Sequence, residues 1–284
     1  QRRTTQQQNG QEAKERHVPS QDVHLGPPHG TDHVCGASRQ SQTFLTSAGL
    51  MGQGHWPLEF SMTPIHEDEH LLVLEKPSGL LSVPGRGPDK QDCLSKRVQD
   101  VYPEALIVHR LDQDTSGLLL MARGIEAQRR LSRLFETRQV KKRYVAVVAG
   151  HPAQTQAEQA PDEEGWRIID GPILLDWDRR PIHIIHPDGK ASRSRWRVLQ
   201  TGESATLVEL EPVTGRTHQL RVHMQSIGHP MLGDSLYAPP EIKALSTRLM
   251  LHAQELAFPH PFTETWMDFK VPTSWSASAP YLTI

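Results

Sequence analysis

The sequence predicts an α+β fold, in which strands and helices are mixed along the chain. Short apolar runs bounded by turn residues indicate strands, and three segments with apolar residues three or four positions apart indicate helices. No regular alternation of strand and helix connects them, so the parallel sheet of an α/β protein is not predicted. The 284 residues are enough for one large domain or two modest ones.

The first part of the chain, residues 1–62, differs from the rest. It is rich in Gln, Gly, Ser, Thr and His and holds few large apolar side chains, so it cannot bury enough surface to offset chain entropy. The chain also begins with Gln1 rather than Met, and Met51 and Met62 are candidate start sites. We therefore expect residues 1–62 to be disordered or to precede the native start, and residues 63–284 to form the folded domain.

The first half of the folded region predicts two strands and two helices. The apolar run 71–74 is ended by KPSG, which indicates a strand and a turn, and residues 118–122 indicate a buried strand. Residues 92–101 predict a helix with Asp92 as its N-cap. Its apolar face would hold Leu94, Val98 and Val101. A second helix, 125–138, would bury Ala127, Leu131, Leu134 and Phe135 and turn Arg129, Arg130 and Arg133 largely away.

The second half predicts more strands than helices. Residues 144–148 are rich in β-branched and aromatic side chains, and 194–200 and 205–211 indicate paired strands. Residues 217–227 predict a helix that ends at Gly228. Two further segments alternate like sheet, 249–258 and 267–271.

Charge is distributed unevenly along the chain. The net charge of −2 argues against a general nucleic-acid binder, yet residues 106–150 hold nine basic and four acidic side chains. Residues 151–180 hold three basic and seven acidic ones. Such segregation is expected where one face meets phosphates, and a solvated helix face explains it equally well.

Several classes of protein and site are not predicted. No apolar run of about 18 residues is present, so we expect no membrane span. The two cysteines lack the spacing of a zinc or disulfide motif, so we expect a reduced, cytoplasmic compartment. No HExxH occurs among the 16 histidines, and His218 and His223 are five residues apart, which is not one helical face. No metal site is predicted.

The segment HRLDQDTSG, residues 109–117, is the strongest candidate for chemistry. It sets Arg110 two residues before Asp112 in a polar turn that leads directly into an apolar run. A nearby guanidinium keeps a carboxylate ionised. From spacing alone, Asp112 is either a catalytic carboxylate or the salt-bridge partner of Arg110 or another arginine. Asp114 is better explained as a turn former.

The segment TGRTHQLRVH, residues 214–223, is the second candidate. Gly215 permits a sharp entry to the helix, whose N-terminus favours an anion. Arg216 and Arg221 suit a carboxylate or a phosphate, although helix capping with surface arginines accounts for the pattern as well. Tyr144, after the basic run 141–143, is either a core residue or a platform on which a nucleobase stacks.

Six separated segments resemble, in the same order, the motifs of the RluA-type pseudouridine synthases. They are KPSGL (76–80), HRLDQDTSG (109–117), KRYVA (142–146), GRTHQLRVH (215–223), GHPMLGD (228–234) and LHA (251–253). Their ordered co-occurrence makes the resemblance specific, and it covers about residues 63–280. Since residues 1–62 lack the apolar periodicity of an S4 domain, the chain looks like the branch of the family without one.

The resemblance implies a mixed, mainly antiparallel sheet with a central active-site cleft, and isomerisation of uridine to pseudouridine in RNA without metal or organic cofactor. It implies that Asp112 is the catalytic carboxylate, acting on the ribose as a nucleophile at C1′ or a base at C2′. Arg216 would pair with Asp112 and keep it ionised, and Tyr144 would pack on the target base. Arg110 would help to take the place of the extruded nucleotide, and Leu220 would line the base pocket.

The same resemblance leads to expectations about the partner. The substrate would be a large-subunit rRNA stem-loop, a tRNA anticodon stem-loop or both, bound by a monomer. Additional contacts to RNA are expected from Arg129, Arg133, Lys142 and Arg221. Two alternatives are an RNA-binding protein on the same fold that has lost catalysis and a carboxylate-dependent nucleoside hydrolase. The hydrolase would need a second, separately tuned carboxylate, for which Asp114 is a poor candidate.

Overall fold

The computed structural model describes residues 63–156, 160–273 and 275. The disorder predicted for residues 1–62 therefore lies outside the described residues. The strands are β1 His66–Glu67, β2 Leu71–Lys76, β3 Ala105–Ile107, β4 Ser116–Arg123, β5 Lys141–Ala149, β6 Arg167–Asp170, β7 Ile173–Leu175, β8 His183–Ile185, β9 Arg193–Thr201, β10 Ala205–Pro212, β11 Leu251–Pro259 and β12 Trp266–Lys270. The helices are α1 Leu94–Gln99, α2 Ile125–Glu136, α3 Pro152–Thr155, α4 Gln219–Ser226 and α5 Pro240–Lys243, with a 3₁₀ turn at Pro88–Lys90.

Ten of these strands form one mixed, mainly antiparallel sheet, so the predicted α+β fold is confirmed. The order is β1-β2-β4-β11-β5-β10-β9-β6, with β3 paired to β4 and β12 paired to β11, and β7 and β8 form a separate hairpin. Only the β4–β11 pair is parallel among the described strands. Within the same part of the chain, no helix is long and apolar enough to cross a membrane.

Strand β11 joins the two halves of the sheet. Its start pairs with β4, at His252 and Ala253, and its later residues pair with β12 instead. Its other edge pairs with β5. Strand β11 therefore has β4 and then β12 on one edge and β5 along the other.

Gly117 makes the contact between β4 and β11 possible. It lies at φ +114°, and a Cβ built there would be 2.3 Å from the carbonyl oxygen of Ala253. A side chain would thus meet backbone that cannot move without breaking the strand pairing. The close approach of β4 and β11 therefore explains why the 109–117 segment ends in glycine.

Helices α2 and α4 each cover a different part of the sheet. Ala127 and Leu131 of α2 pack with the apolar side chains of β2 and β4. Leu220 and Met224 of α4 pack with those of β5, β9 and β10. Helix α2 thus has one buried stripe, as its apolar spacing predicted, whereas α4 is buried at every position from Gln219 to Met224.

Most predicted elements are confirmed, with boundaries shifted by a few residues, but all three predicted helices are shorter than expected, and α2 ends at Glu136 rather than at 138. Residues 92–101 form a helix only over Leu94–Gln99, since the Asp92 carboxylate pairs with Arg97 rather than capping the helix, and Val101 is exposed. The helix predicted from 217 begins at Gln219, because His218 adopts the left-handed conformation at φ +56°.

We predict that Gly117→Ala lowers the free energy of unfolding by about 2–5 kcal/mol, because it adds backbone strain and a steric clash together. The matched control is Gly79→Ala, since Gly79 also has a positive φ but a Cβ there meets no atom within 4 Å. It should lose only about 1–2 kcal/mol. Urea denaturation measures both, and equal losses would contradict this account of Gly117.

Candidate active site

A cavity of about 620 Å³ opens beside the β4–β11 junction. Its walls come from the loop before β4, the end of α2 with the start of β5, and the segment from the end of β10 into α4. The predicted residues that line it are Arg110, Asp112, Lys142, Tyr144, Arg216, Leu220 and Arg221. Arg129 and Arg133 are not among its lining residues; they lie exposed on α2.

Asp112 is held by Arg221 rather than by Arg216. The Arg221 Nη1 lies 3.5 Å from Asp112 Oδ2, and the Arg221 side chain is only 2% exposed. Arg216 is exposed, and its Nε donates to the carbonyl oxygen of Ala191 at 3.3 Å. The predicted Arg216–Asp112 pair is therefore wrong. The physical reason is that Arg216 lies in the loop before α4, whereas Arg221 lies within α4 and its side chain is buried against Asp112 and Asp234.

Asp234 fixes the orientation of Arg221. The two side chains form a bidentate pair, with Nε–Oδ2 at 2.8 Å and Nη2–Oδ1 at 2.6 Å, and Asp234 is fully buried. Burial by itself lowers the pKa of the Arg221 guanidinium, but the hydrogen bonds and charge of Asp234, with the charge of Asp112, raise it above its ordinary value. One guanidinium thus serves a buried carboxylate and a half-buried one, and it points a fixed positive charge at Asp112.

The imidazole of His218 is the second group near Asp112. Its Nε2 lies 4.0 Å from Asp112 Oδ1, and its Nδ1 lies 2.7 Å from the hydroxyl of Tyr237. The backbone N–H of His183 donates to that hydroxyl, which leaves the hydroxyl proton for His218 Nδ1. This arrangement favours the tautomer with its proton on Nε2, facing Asp112. Burial lowers the pKa of His218 to about 4, so the ring is neutral at pH 7.

Tyr144 and Leu220 form the apolar side of the cavity. Leu220 is 6% exposed and belongs to the apolar cluster of β5, β9 and β10, against which Tyr144 packs. Burial, and then the negative charge of Asp112, raise the pKa of Tyr144. Its hydroxyl therefore stays protonated at neutral pH, next to a carboxylate and an apolar wall.

The loop that carries Asp112 is held by the KPSGL segment. Lys76, the last residue of β2, is completely buried, and its Nζ donates to the carbonyl oxygens of Pro77, Leu80 and Gln113 at 2.7–2.9 Å. Burial lowers the pKa of Lys76 to about 7, while the charges of Asp114 and Asp112 raise it. The lysine thus ties the loop to the end of β2.

Further hydrogen bonds fix the backbone on either side of Asp112. The hydroxyl of Ser82 donates to the carbonyl oxygen of Leu111 at 2.7 Å, and that of Ser78 donates to the carbonyl oxygen of Asp114 at 2.7 Å. The N–H of Thr115 donates to the carbonyl oxygen of Asp112 at 3.2 Å, which closes the turn. The loop therefore has little conformational freedom.

His109 supports the loop from the side of α2. Its Nε2 accepts the backbone N–H of Leu120 at 2.9 Å, and its ring stacks on Phe135 with centroids 4.8 Å apart. An imidazolium could not accept that bond. Burial, with a smaller effect of the Lys142 charge, lowers the pKa of His109 to about 3.

The residues that sequence reasoning missed lie near Asp112 but far along the chain. Asp234 belongs to the GHPMLGD segment, and its position after Gly233 was a usable signal. Gly233 has φ +71°, and a Cβ there would lie 1.9 Å from the carbonyl oxygen of Arg248. Tyr237 and His183 carry no motif that could have marked them. No group of three or more metal-binding side chains occurs in the described ranges.

Comparison with known proteins identifies the family. A family model described as RNA pseudouridylate synthase matches residues 70–226. The dual-specificity RNA pseudouridine synthase RluA of Yersinia pestis is 46% identical over 211 residues, which are 74% of this chain and 98% of that protein. The chain belongs to the RNA pseudouridylate synthase family.

Other members of the RNA pseudouridylate synthase family agree with this assignment. The dual-specificity RNA pseudouridine synthase RluA of Escherichia coli K12 is 41% identical over 77% of this chain and 96% of that protein. The solved structure of human RNA Pseudouridylate Synthase Domain Containing 1 has a TM-score of 0.62 and 27% identity, and covers 77% of this chain and 86% of that one. The protein is thus an isomerase that converts uridine in RNA to pseudouridine, and nothing favours the two alternative functions.

We predict that Asp234→Asn lowers the free energy of unfolding by about 3–5 kcal/mol, because it leaves the buried Arg221 charge without its partner. The rate of pseudouridine formation by Asp234→Asn should also be lower than that of the parent. The double variant Arg221→Leu, Asp234→Leu should recover much of the stability but none of the activity, since Asp112 then lacks its guanidinium. A double variant as unstable as the single one would contradict this view of the pair.

A pH prediction follows from His109. Its pKa is about 3 in the folded protein and about 6.5 in the unfolded chain. The unfolded state therefore binds the proton first as the pH falls from 6.5 towards 3, and stability decreases by at most about 1.4 kcal/mol per pH unit from this group. The variant His109→Gln can still accept the Leu120 N–H but does not titrate. The slope of its unfolding free energy against pH should therefore be smaller than that of the parent, by up to about 1.4 kcal/mol per pH unit.

Denaturation in urea at several pH values measures the slope. Phe135→Leu is the matched control, since it removes the ring stacked on His109 but keeps the titrating imidazole. It should lower stability at every pH and keep the slope. The same slope in His109→Gln and the parent would show that His109 is not the titrating group.

Proposed function

We propose that Asp112 is the catalytic residue of this pseudouridine synthase, and that the enzyme acts on a uridine extruded from an RNA stem-loop. The observation that carries the proposal is the Arg221 guanidinium, which lies 3.5 Å from Asp112 Oδ2 at the wall of the cavity. It places a fixed positive charge beside the half-buried carboxylate that would act on the ribose. Arg216, the residue first expected in this role, does not pair with Asp112.

The reaction needs no group beyond those of the substrate and the protein. The bond between C1′ and N1 of the uridine breaks while Asp112 acts on the ribose, as a nucleophile at C1′ or a base at C2′. The detached uracil turns in the cavity, C5 bonds to C1′, and the C5 proton is lost as N1 gains one. The product is an isomer of the substrate, so atoms and charge balance.

Tyr144 and Leu220 would hold the uracil during this rotation. An apolar wall with an aromatic ring retains a neutral base by packing and excludes water that would otherwise release it. Tyr144 lines the cavity with Asp112 and would also assist at C5. Its raised pKa keeps the phenol protonated, so it would act first as a hydrogen-bond donor.

The RNA would be bound by basic side chains both at the cavity and on α2. Arg110, two residues before Asp112, is exposed at the cavity and would fill the space that the extruded nucleotide leaves. Lys142 lines the cavity, and Arg129 and Arg133 are exposed on α2. The named relatives are dual-specificity enzymes, which supports a large-subunit rRNA stem-loop and a tRNA anticodon stem-loop as substrates. We also infer a cytoplasmic enzyme that acts as a monomer.

The decisive experiment compares Asp112→Asn with Asp114→Asn. The first removes the carboxylate but keeps its shape, and should reduce pseudouridine formation by about 10²–10⁴ or more. The second removes the neighbouring charge from the same loop and should stay within about tenfold of the parent. Both variants are assayed on an anticodon stem-loop RNA and an rRNA stem-loop.

Binding of the same RNAs is measured in parallel. Asp112→Asn should bind as tightly as the parent, which separates lost chemistry from a lost fold. Full activity in Asp112→Asn would overturn the assignment of the catalytic residue. A parent enzyme that modifies neither RNA would overturn the substrate assignment alone. Sedimentation of the enzyme with and without RNA tests the monomer.

A further inference from the structure

Three arginines at the cavity form no ion pair with a carboxylate of the described residues. Arg110, Arg138 and Arg216 line the cavity and are exposed. Within the part of the chain that the structure describes, none of the three lies within 4.0 Å of a carboxylate. Many other arginines do pair with carboxylates, among them Arg97, Arg123, Arg143, Arg193, Arg195 and Arg197.

Acidic side chains are not scarce in the chain as a whole, which has 33 acidic and 31 basic residues. Besides Asp112, Glu136 is the other carboxylate that lines the cavity among the described residues. Glu136 pairs with none of the three arginines. The free guanidinium groups therefore present an attractive surface to an anion of the substrate.

Arg138 is held at the cavity in a conformation that arginine rarely adopts. It follows α2 at φ +59°. Its N–H donates to the carbonyl oxygen of Phe135, and the N–H of Gln139 donates to the carbonyl oxygen of Leu134. Glycine and asparagine are the usual residues at such a helix end. An arginine there costs stability, so its side chain is expected to serve another purpose.

Arg216 is anchored in the loop between β10 and α4. Its Nε donates to the carbonyl oxygen of Ala191 at 3.3 Å, and its backbone N–H donates to Gln219 Oε1 at 3.0 Å. These contacts fix the backbone and one edge of the guanidinium and leave the terminal nitrogens available. Arg216 is thus oriented, but it does not pair with Asp112.

We propose that Arg138 and Arg216 bind the phosphates on the two sides of the extruded uridine, an inference that rests on the proposed function. The ribose must reach Asp112 inside the cavity, so its flanking phosphates stay at the entrance, where these two side chains lie. A guanidinium offers a phosphate two parallel hydrogen bonds. The two arginines come from different segments, and together they fix the direction of the RNA backbone across the cavity.

The test measures binding of an anticodon stem-loop RNA at a series of KCl concentrations. Arg138→Gln and Arg216→Gln should each raise Kd by about tenfold and reduce the salt slope by about 1. The matched control is Lys243→Gln, which removes an exposed charge from α5. The neighbouring Ile242 packs on the side chains of Val145 and Val147, the sheet face opposite Tyr144. Lys243→Gln should bind as the parent does.

A second variant separates binding from folding. Arg138→Gly relieves the left-handed backbone, so its urea midpoint should rise while its Kd rises as in Arg138→Gln. Neither arginine touches the reacting atoms, so KM should increase and kcat should stay close to that of the parent. Salt slopes equal to those of the parent and Lys243→Gln would overturn the proposal.

The phosphates themselves are identified with RNAs that carry a methylphosphonate at each loop position in turn. At two positions, parent binding should weaken by about tenfold. Each arginine variant should be insensitive to one of those two substitutions. Equal sensitivity of the variants and the parent at every position would overturn the proposal. If the parent binds as expected but forms no pseudouridine, the proposed substrate fails while the phosphate contacts stand.

Discussion

The close approach of β4 to β11 is the constraint on which the active site depends. Asp112 precedes β4, whereas Arg221 belongs to α4, which packs on the other half of the sheet. The two residues meet only because β11 pairs with β4 on one edge and with β5 on the other. Gly117 permits this arrangement, since any side chain there would separate the strands. A backbone contact thus determines the distance between two charged side chains more than a hundred positions apart in sequence.

The buried charges of the site are each satisfied by several partners. Arg221 has Asp234 and Asp112, while Lys76 has three carbonyl oxygens. Asp234 also accepts the backbone N–H groups of Leu236 and Tyr237. A buried charge without such partners would be costly. These bonds leave Asp112 as the half-buried carboxylate of the network, and therefore the one that a substrate can reach.

Local features of the site could be predicted from sequence, but features that depend on distant contacts could not. The turn around Asp112 and the amphipathic helix α2 follow from neighbouring residues, so both were predicted correctly. Which arginine meets Asp112 depends on which side of α4 faces the loop before β4, and the sequence does not reveal this, nor that His218 takes the left-handed conformation. The placement of Tyr237 and His183 beside His218 requires the β7–β8 hairpin to pack at the site. The roles assigned to Arg110, Tyr144 and Lys142 remain predictions that rest on their places in the cavity wall.

The rigid loop around Asp112 has a consequence for how the enzyme selects RNA. The carbonyl oxygens of Leu111, Gln113 and Asp114 all accept side-chain hydrogen bonds, so this loop changes its conformation little when RNA binds. To bring a ribose to Asp112, the RNA must therefore change its own shape by unstacking and backbone bending, and that change costs free energy. Two loops with the same uridine would differ in rate if one of them unstacks more easily. Mechanical compliance of the RNA would therefore act as a criterion of selection, alongside the bases that the protein contacts.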